Sequence, residues 1–166
     1  ISSLKALQGQ LKRLIHFDAL TNLPNRILLA DRLSQSMEQC QPHNQSLAVA
    51  FMDLDGFKEV NDKHGHNVGD DLLISVSHRM KAALCEFDTL ARIGGDEFIA
   101  IMVNLDSPED SAPILGRLLE ATAEPFTLGD AVTEVSVSIG VTLYPQDSSG
   151  VDQLIRHADQ AMHVAK

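Results

Sequence analysis

The sequence predicts an α/β sandwich in which helices cover a mixed, mostly antiparallel central sheet. Two observations carry this prediction. A short, continuous apolar run occupies residues 47–53, and two further apolar runs flank the turn sequence GGDE. Several other segments space their apolar residues as amphipathic helices do. The chain has 166 residues, 44% of them hydrophobic, which suits one domain with a substantial core.

The first predicted element is a helix over SSLKALQGQLKRLI. Leucines recur along it at alternating spacings of three and four, at Leu4, Leu7, Leu11 and Leu14. This leucine stripe covers two heptads, which leaves two interpretations open: a coiled coil with a second copy, or an amphipathic helix that packs on its own domain. We therefore divide the chain into an N-terminal linker helix at 1–17 and a domain at 18–166.

The next elements lead to the central strand. Residues 16–25 are rich in turn-forming residues, and Asn25 can cap a second helix that runs to about residue 40. The apolar run 47–53 is typical of a strand that is buried on both faces. A polar stretch, DGFKEVNDKHGHNVG, follows it, and a third helix is predicted from about residue 70 to 85.

The second half of the chain begins with a predicted β-hairpin at 89–93 and 98–103, because the two glycines between these runs reach positive φ at no steric cost. A loop, NLDSPED, and a helix to about residue 122 follow, with Pro113 near its first turn. A short strand FTL, one long strand at 131–144 and a closing helix at 150–166 complete the prediction.

Composition excludes some classes of function. The formal net charge of −10 argues against binding nucleic acid, which needs a basic surface. Cys40 and Cys85 lack a CxxC spacing, so we expect reduced thiols in a cytoplasmic domain. No apolar run is long enough to span a bilayer, although the chain does not begin with Met, which leaves a membrane anchor upstream open.

Carboxylates stand where two predicted strands meet. Asp53 and Asp55 end the central strand, and Asp96 and Glu97 follow the glycines of the hairpin. If the hairpin lies beside the central strand, Asp53 and Asp96 come close together, and such carboxylates repel one another unless cations neutralise them. Carboxylate and carbonyl oxygens suit Mg²⁺, which usually binds together with substrate phosphates.

Other interpretations of these residues are weaker. A calcium loop that starts at Asp53 would need Gly at its sixth position and Glu at its twelfth, where the chain has Lys58 and His64. His64 and His66 could bind zinc, but histidines two residues apart in a turn with glycine are more often structural. The GGDE turn by itself could also be an ordinary solvated hairpin.

Five blocks of the sequence together resemble the GGDEF family of diguanylate cyclases. They are DALTNLPNR, DLDGFKEVNDKHGHNVGDDLL, ARIGGDEF, SIGVTLYP and ADQAMHVAK, in that order over nearly the whole chain. The family fold is similar to that of nucleotidyl cyclases and polymerase palm domains. The resemblance implies that two GTP molecules are condensed into cyclic di-GMP with release of two pyrophosphates.

The resemblance also implies a metal site and catalytic residues. Asp53 and Asp96, with the Leu54 carbonyl, would bind one Mg²⁺, and Glu97 would assist at a second. Each half-site would thus hold two Mg²⁺ ions, and Mn²⁺ could replace them. The catalytic residues would be Asp96, Glu97 and Lys58. Asp96 is the group expected to accept the proton, directly or through the metal.

Substrate binding is implied for seven residues, namely Asn61, Asp70, His66, Gly56, Phe57, Gly95 and Lys166. Asn61 and Asp70 would recognise the guanine edge, because a carboxylate accepts from N1–H and the N2 amino group together. Lys58, backbone amides at 56–57 and Lys166 would hold phosphates. Gly95 would allow the backbone to approach the nucleotide, and His66 would shape the turn before Asp70.

One domain binds one GTP, so the resemblance implies a homodimer, and further sensor or EAL domains are expected in the full-length protein. The alternative function is a non-catalytic GTP-binding domain that regulates an attached EAL phosphodiesterase. Two residues depart from the family pattern: Cys85 replaces the arginine of the RxxD product-inhibition motif, and His163 stands where Tyr is common.

Overall fold

The structure is a computed structural model that describes residues 2–166, for Ser2 the backbone only; Ile1, the first residue of the predicted linker 1–17, lies outside the described residues. The helices are α1 (Ser2–His16), α2 (Arg26–Cys40), α3 (Phe57–His64), α4 (His66–Ala83), α5 (Ser111–Ala123) and α6 (Val151–Ala165). The strands are β1 (Ser46–Asp55), β2 (Thr89–Gly94), β3 (Glu97–Leu105), β4 (Phe126–Leu128), β5 (Ala131–Thr133) and β6 (Ser136–Tyr144). A short 3₁₀ helix, Pro108–Asp110, precedes α5.

Four of the strands form the central sheet in the order β2-β3-β1-β6, and each of the three pairings is antiparallel. Helices cover both faces, so the predicted sandwich is confirmed, but the central sheet of the described residues is antiparallel throughout and not mixed as expected. One face packs against α4 and α5, with Met52, Leu72, Val76, Phe98, Met102 and Leu118 among the buried residues. The other face packs against α2 and α6, with Leu29, Leu33, Phe51, Ile99, Ile155 and Met162.

Strand β1 is the centre of this arrangement. It pairs with β3 on one side and β6 on the other, and residues 46–52 are all buried. Alternate side chains enter the two cores, Met52 on one face and Phe51 on the other. The prediction of a strand buried on both faces is therefore confirmed, with the strand extended to Asp55.

Helix α6 lies unusually close to β6. A Cβ atom built on Gly140 would lie 2.0 Å from the Met162 backbone nitrogen and 2.2 Å from the Ala158 carbonyl oxygen. Any side chain at this position would therefore push the helix away from the sheet. This contact fixes where the last turn of α6, and Lys166 after it, reach the end of the central strand.

Two sequence predictions need correction. The polar stretch after β1 contains α3, and α4 begins at His66, four residues before the expected start, and ends at Ala83. Val60 is the buried residue of α3, so no apolar period marks this helix in the sequence. The expected strand 131–144 is two strands, because β5 pairs with β4 in a separate small sheet whereas β6 pairs with β1.

Helix α1 is present as predicted, but its leucine stripe does not pack on its own domain. Leu4, Leu7, Leu11 and Leu14 are 59%, 53%, 51% and 70% exposed. The second interpretation of the stripe, an amphipathic helix folded onto its own domain, is therefore wrong. In the part of the chain that the structure describes, no helix combines the length and apolar character needed to cross a membrane.

Candidate active site

The exit of the central strand lies beside the glycine turn. In the register of the sheet, Asp53 stands opposite Glu97 of β3 on one side and Ser138 of β6 on the other. The Leu54 backbone N–H donates to the Asp96 carbonyl oxygen at 3.2 Å. The expected meeting of Asp53 with the GGDE turn is therefore confirmed.

Asp53 and Asp96 lie close enough for each to affect the ionisation of the other. Burial raises the pKa of Asp96 to about 6, and the neighbouring Asp53 carboxyl and the charge of Glu97 act in the same direction. Two neighbouring carboxyl groups ionise together only when a cation neutralises them. The buried Asp53 Oδ1 has no hydrogen-bond partner.

Glu97 belongs to the same electrostatic neighbourhood. Burial raises its pKa, as do the charges of Asp53 and of Asp159 on α6, while His163 and Lys166 oppose this shift. Asp159 had no predicted role, although it lies in the block ADQAMHVAK. Its buried Oδ1 atom makes no hydrogen bond but lies 3.1 Å from Nδ1 of His163.

Lys166 supplies positive charge to this group. Its ammonium donates to Asp53 Oδ2 and forms an ion pair with it. This hydrogen bond is the main cause that raises the pKa of Lys166, and the charges of Asp53, Asp55 and Asp96 add to it. The carboxylate of Asp55 is used differently, because it accepts from the hydroxyls of Ser136 at 3.1 Å and Ser138 at 2.8 Å.

These residues fit a divalent cation only in part on their own. Among residues 2–166, no three His, Cys, Asp or Glu side chains converge on a point where a metal ion could be held. The carboxyl groups of Asp53 and Asp96 are neighbours, and the buried Asp53 Oδ1, which has no hydrogen-bond partner, is free to bind a cation. A site of two carboxylates completed by carbonyl, water and phosphate oxygens is the usual form for Mg²⁺.

The turn itself is held by Arg92. Its Nε and Nη2 atoms donate to the Gly95 carbonyl oxygen at 3.0 and 2.8 Å, and its Nη1 donates to Asp18 at 2.9 Å. Asp18 also accepts from the backbone N–H and the hydroxyl of Thr21. The Arg92–Asp18 pair therefore connects the turn after α1 to the GGDE turn.

Sequence reasoning gave no role to Arg92 or Asp18. Both lie in blocks that carry the family resemblance, which was the available signal, but their contact joins residues 74 positions apart. The structure adds a second reason for Gly95, because its φ of +50° is one that other residues rarely adopt.

Helix α3 and the start of α4 carry the second group of predicted residues. Gly56, with φ of 87°, precedes α3, so the amides of Gly56 and Phe57 stand at the N-terminus of a helix, where N–H groups lack partners within the helix. Lys58 is exposed on its first turn. The expected phosphate-binding residues thus lie at a helix end that the sequence analysis missed.

Asn61 lies over Gly69. A Cβ atom at Gly69 would be 1.7 Å from Asn61 Oδ1, and this oxygen is buried without a partner. Asp70, the next residue, is exposed at the surface, as is His66. Gly65, with φ of 91°, separates the two helices and makes the turn that brings Asn61 beside Gly69, the residue before Asp70.

The sequence matches the family described as "Diguanylate cyclase, GGDEF domain" over residues 15–166. The chain belongs to the GGDEF family. This GGDEF domain is 42% identical over 165 residues to the bifunctional diguanylate cyclase/cyclic di-GMP phosphodiesterase MucR of Pseudomonas aeruginosa, with 99% of this chain and 24% of MucR covered. It is 40% identical to diguanylate cyclase TpbB of the same species, with 91% of this chain and 35% of TpbB covered.

A solved structure of the TpbB GGDEF domain from Pseudomonas aeruginosa superposes with a TM-score of 0.87 at 39% identity, covering 91% of this chain and 88% of that chain. The expectations of family and fold are therefore confirmed. The GGDEF domain spans about a quarter to a third of the length of these curated relatives.

Proposed function

We propose that this GGDEF domain is a diguanylate cyclase that condenses two GTP molecules into cyclic di-GMP and two pyrophosphates. The observation that carries the proposal is the interacting pair Asp53 and Asp96 at the end of the central strand, with the N-terminus of α3 two residues beyond it. The comparisons do not favour the non-catalytic alternative.

Each reaction step forms one bond and breaks one. The ribose 3′-hydroxyl of one GTP attacks the α-phosphorus of the other, its proton goes to a base, and the bond to pyrophosphate breaks; the same step in reverse roles closes the ring. Asp96 would accept that proton, directly or through the metal. Bound Mg²⁺, or Mn²⁺, would lower the pKa of the hydroxyl and neutralise the leaving pyrophosphate, held by Asp53, Asp96, the Leu54 carbonyl and Glu97.

The remaining residues would bind and orient GTP. The α3 amides at 56–57 and Lys58 would hold phosphate, which is favoured at a helix N-terminus. Asn61 and Asp70 would recognise guanine, and the unpartnered Asn61 Oδ1 is an acceptor that a guanine N–H could satisfy. Adenine lacks the paired N1–H and N2 donors that Asp70 would bind, so GTP should be preferred over ATP.

Catalysis would need two copies that face each other. The exposed leucine stripe on α1 offers an apolar surface for this pairing. We further propose that the domain is part of a longer protein with other signalling domains, because the relative MucR is named for both a cyclase and a phosphodiesterase, and this chain covers 24% of it.

The test is incubation of the purified chain with GTP and Mg²⁺, with cyclic di-GMP as the measured product. We expect product with GTP and not with ATP, and its loss with EDTA. Asp96→Asn should remove most turnover, whereas the matched control Asp130→Asn, an exposed aspartate in the β4–β5 turn, should keep it. Wild-type turnover in Asp96→Asn would contradict the role given to this residue.

The homodimer is tested separately by dilution. Because each product needs two half-sites, specific activity should fall as the protein is diluted, and removal of residues 1–15 should steepen that fall. Specific activity that stays constant over a wide dilution range, for both proteins, would contradict the proposed role of the leucine stripe.

A further inference from the structure

The carboxylates at the end of β1 already have a counter-ion within the chain. The Lys166 ammonium forms an ion pair with Asp53 Oδ2. The Asp53 side chain is 13% exposed and that of Lys166 is 41% exposed. The lysine of this ion pair is therefore partly exposed to water, whereas the aspartate is largely buried.

This contact conflicts with a divalent cation on the same carboxylate. A metal ion that binds Asp53 would lie within a few ångströms of the ammonium, and like charges at that separation repel strongly in a partly buried site. The ammonium also occupies one of the two oxygens that Asp53 can offer, while the other oxygen is buried and unpartnered. Both cations cannot use Asp53 fully at once.

We propose that Lys166 is an exchangeable counter-ion: its ammonium neutralises Asp53 in the nucleotide-free domain, leaves Asp53 when a divalent cation binds, and then pairs with substrate phosphate. The inference rests on the proposed function and adds an order of events to it. Metal binds weakly before nucleotide, because it must displace the lysine. Metal and triphosphate together bind well, because the displaced ammonium then gains a phosphate partner.

The position of Lys166 makes this exchange easy. It follows the last turn of α6, and the backbone of that helix is held against β6 by the close contact at Gly140. The ammonium is carried on a flexible four-carbon side chain, so it can leave Asp53 by rotation of side-chain bonds while the helix stays in place. No rearrangement of the sheet is required.

The test measures Mn²⁺ binding to nucleotide-free protein by the loss of the free-ion signal in electron paramagnetic resonance. Lys166→Met removes the charge and keeps the apolar stem. We expect it to bind Mn²⁺ about three- to ten-fold more tightly than wild type, the range for loss of a competing ion pair of this exposure. The matched control is Lys58→Met, the other lysine with a proposed phosphate role, which should change Mn²⁺ affinity less than two-fold.

Two further measurements separate exchange from a simple loss of charge. In EDTA, Lys166→Met should melt at a lower temperature than wild type, since Asp53 loses its counter-ion, and Mn²⁺ should raise its melting temperature by more than it raises that of wild type. In the presence of Mn²⁺, both Lys166→Met and Lys58→Met should bind pyrophosphate more weakly than wild type.

Equal Mn²⁺ affinity of wild type and Lys166→Met would overturn the inference. If the wild-type protein still makes cyclic di-GMP in that case, the proposed function stands and only the exchange falls. If wild type neither binds Mn²⁺ nor turns over GTP, both fall together. Tighter Mn²⁺ binding in Lys166→Met with unchanged affinity in Lys58→Met would support the exchange.

Discussion

Replacing Arg92 with methionine should both unfold the domain more easily and disturb the GGDE turn. Arg92 makes two hydrogen bonds to the Gly95 carbonyl oxygen and one to Asp18, all at 3.0 Å or less. The side chains of Arg92 and Asp18 are 14% and 17% exposed. Methionine keeps most of the apolar stem but removes every donor.

The size of the effect follows from burial. Removing one partner of a buried ion pair costs about 3–5 kcal/mol, because the other charge stays behind without compensation. Asp18 keeps its two hydrogen bonds from Thr21, at 2.8 and 2.7 Å, which soften that loss. We therefore expect Arg92→Met to lower the free energy of unfolding by about 2–4 kcal/mol at pH 7.

The pH dependence of this loss has a definite sign. Burial raises the pKa of Asp18, but the hydrogen bonds from Thr21 and the Arg92 guanidinium more than offset it, so the pKa lies below the ordinary 3.8. A carboxyl whose pKa is lowered in the folded state stabilises it at pH values above the unfolded pKa. The difference between wild type and Arg92→Met should therefore shrink as the pH falls below about 4.

The assay is urea unfolding of both proteins, with Arg26→Met as the matched control, since Arg26 is exposed at the start of α2. A double-mutant cycle with Asp18→Asn should give a coupling energy of about 1–3 kcal/mol. A loss below about 1 kcal/mol in Arg92→Met, or strictly additive effects in the cycle, would contradict the role given to the Arg92–Asp18 pair.

Three other substitutions test separate parts of the site. Asp96→Asn should make the metal-free domain more stable than wild type above pH 6. Because the pKa of Asp96 is raised to about 6, the stability of wild type falls between pH 4 and 6, so the advantage of the variant should grow across that range. Urea unfolding in EDTA measures it. Gly69→Ala should displace Asn61, whose Oδ1 would lie 1.7 Å from the new Cβ, and so weaken GTP binding measured by calorimetry. The free energy of unfolding should change by about 1 kcal/mol or less. Unchanged affinity for GTP would contradict the role of Asn61 in binding guanine. Wild type should be inhibited little by cyclic di-GMP, and Cys85→Arg should strengthen inhibition about ten-fold. This is the low end for a charged hydrogen bond, because the Arg117 guanidinium lies 3.6 Å from the Cys85 sulfur and would repel a second guanidinium there. Equal inhibition of both proteins would contradict the prediction.

Asp88, the aspartate of the RxxD motif, is held within its own loop. Its carboxylate accepts from the backbone N–H groups of Cys85 at 2.9 Å and Val103 at 3.0 Å. Asp88 therefore fixes the loop before β2, and Asp88→Ala should cost stability as well as any effect on inhibition.

The elements whose signal is local could be predicted from the amino-acid sequence. The six successive apolar residues 47–52 of β1 predict a strand that is buried on both faces, and glycines between two apolar runs predict a hairpin because of their freedom in φ. The proximity of Asp53 to the GGDE turn could be predicted in the same way, because the end of β1 lies beside the turn when β1 pairs with the hairpin. The family could be recognised for the same reason: its motifs are contiguous stretches.

Features that depend on partners far along the chain could be seen only in the tertiary structure. Nothing local divides 131–144, because both halves alternate in the same way and only their pairing differs, β5 with β4 and β6 with β1. Lys166 meets Asp53 across 113 positions, and Arg92 meets Asp18 across 74. Such ion pairs produce no periodic pattern in the sequence, because their energy depends on the distance between two atoms and on their burial. Both quantities are set only when α6 packs on β6 and the turn after α1 packs on the sheet.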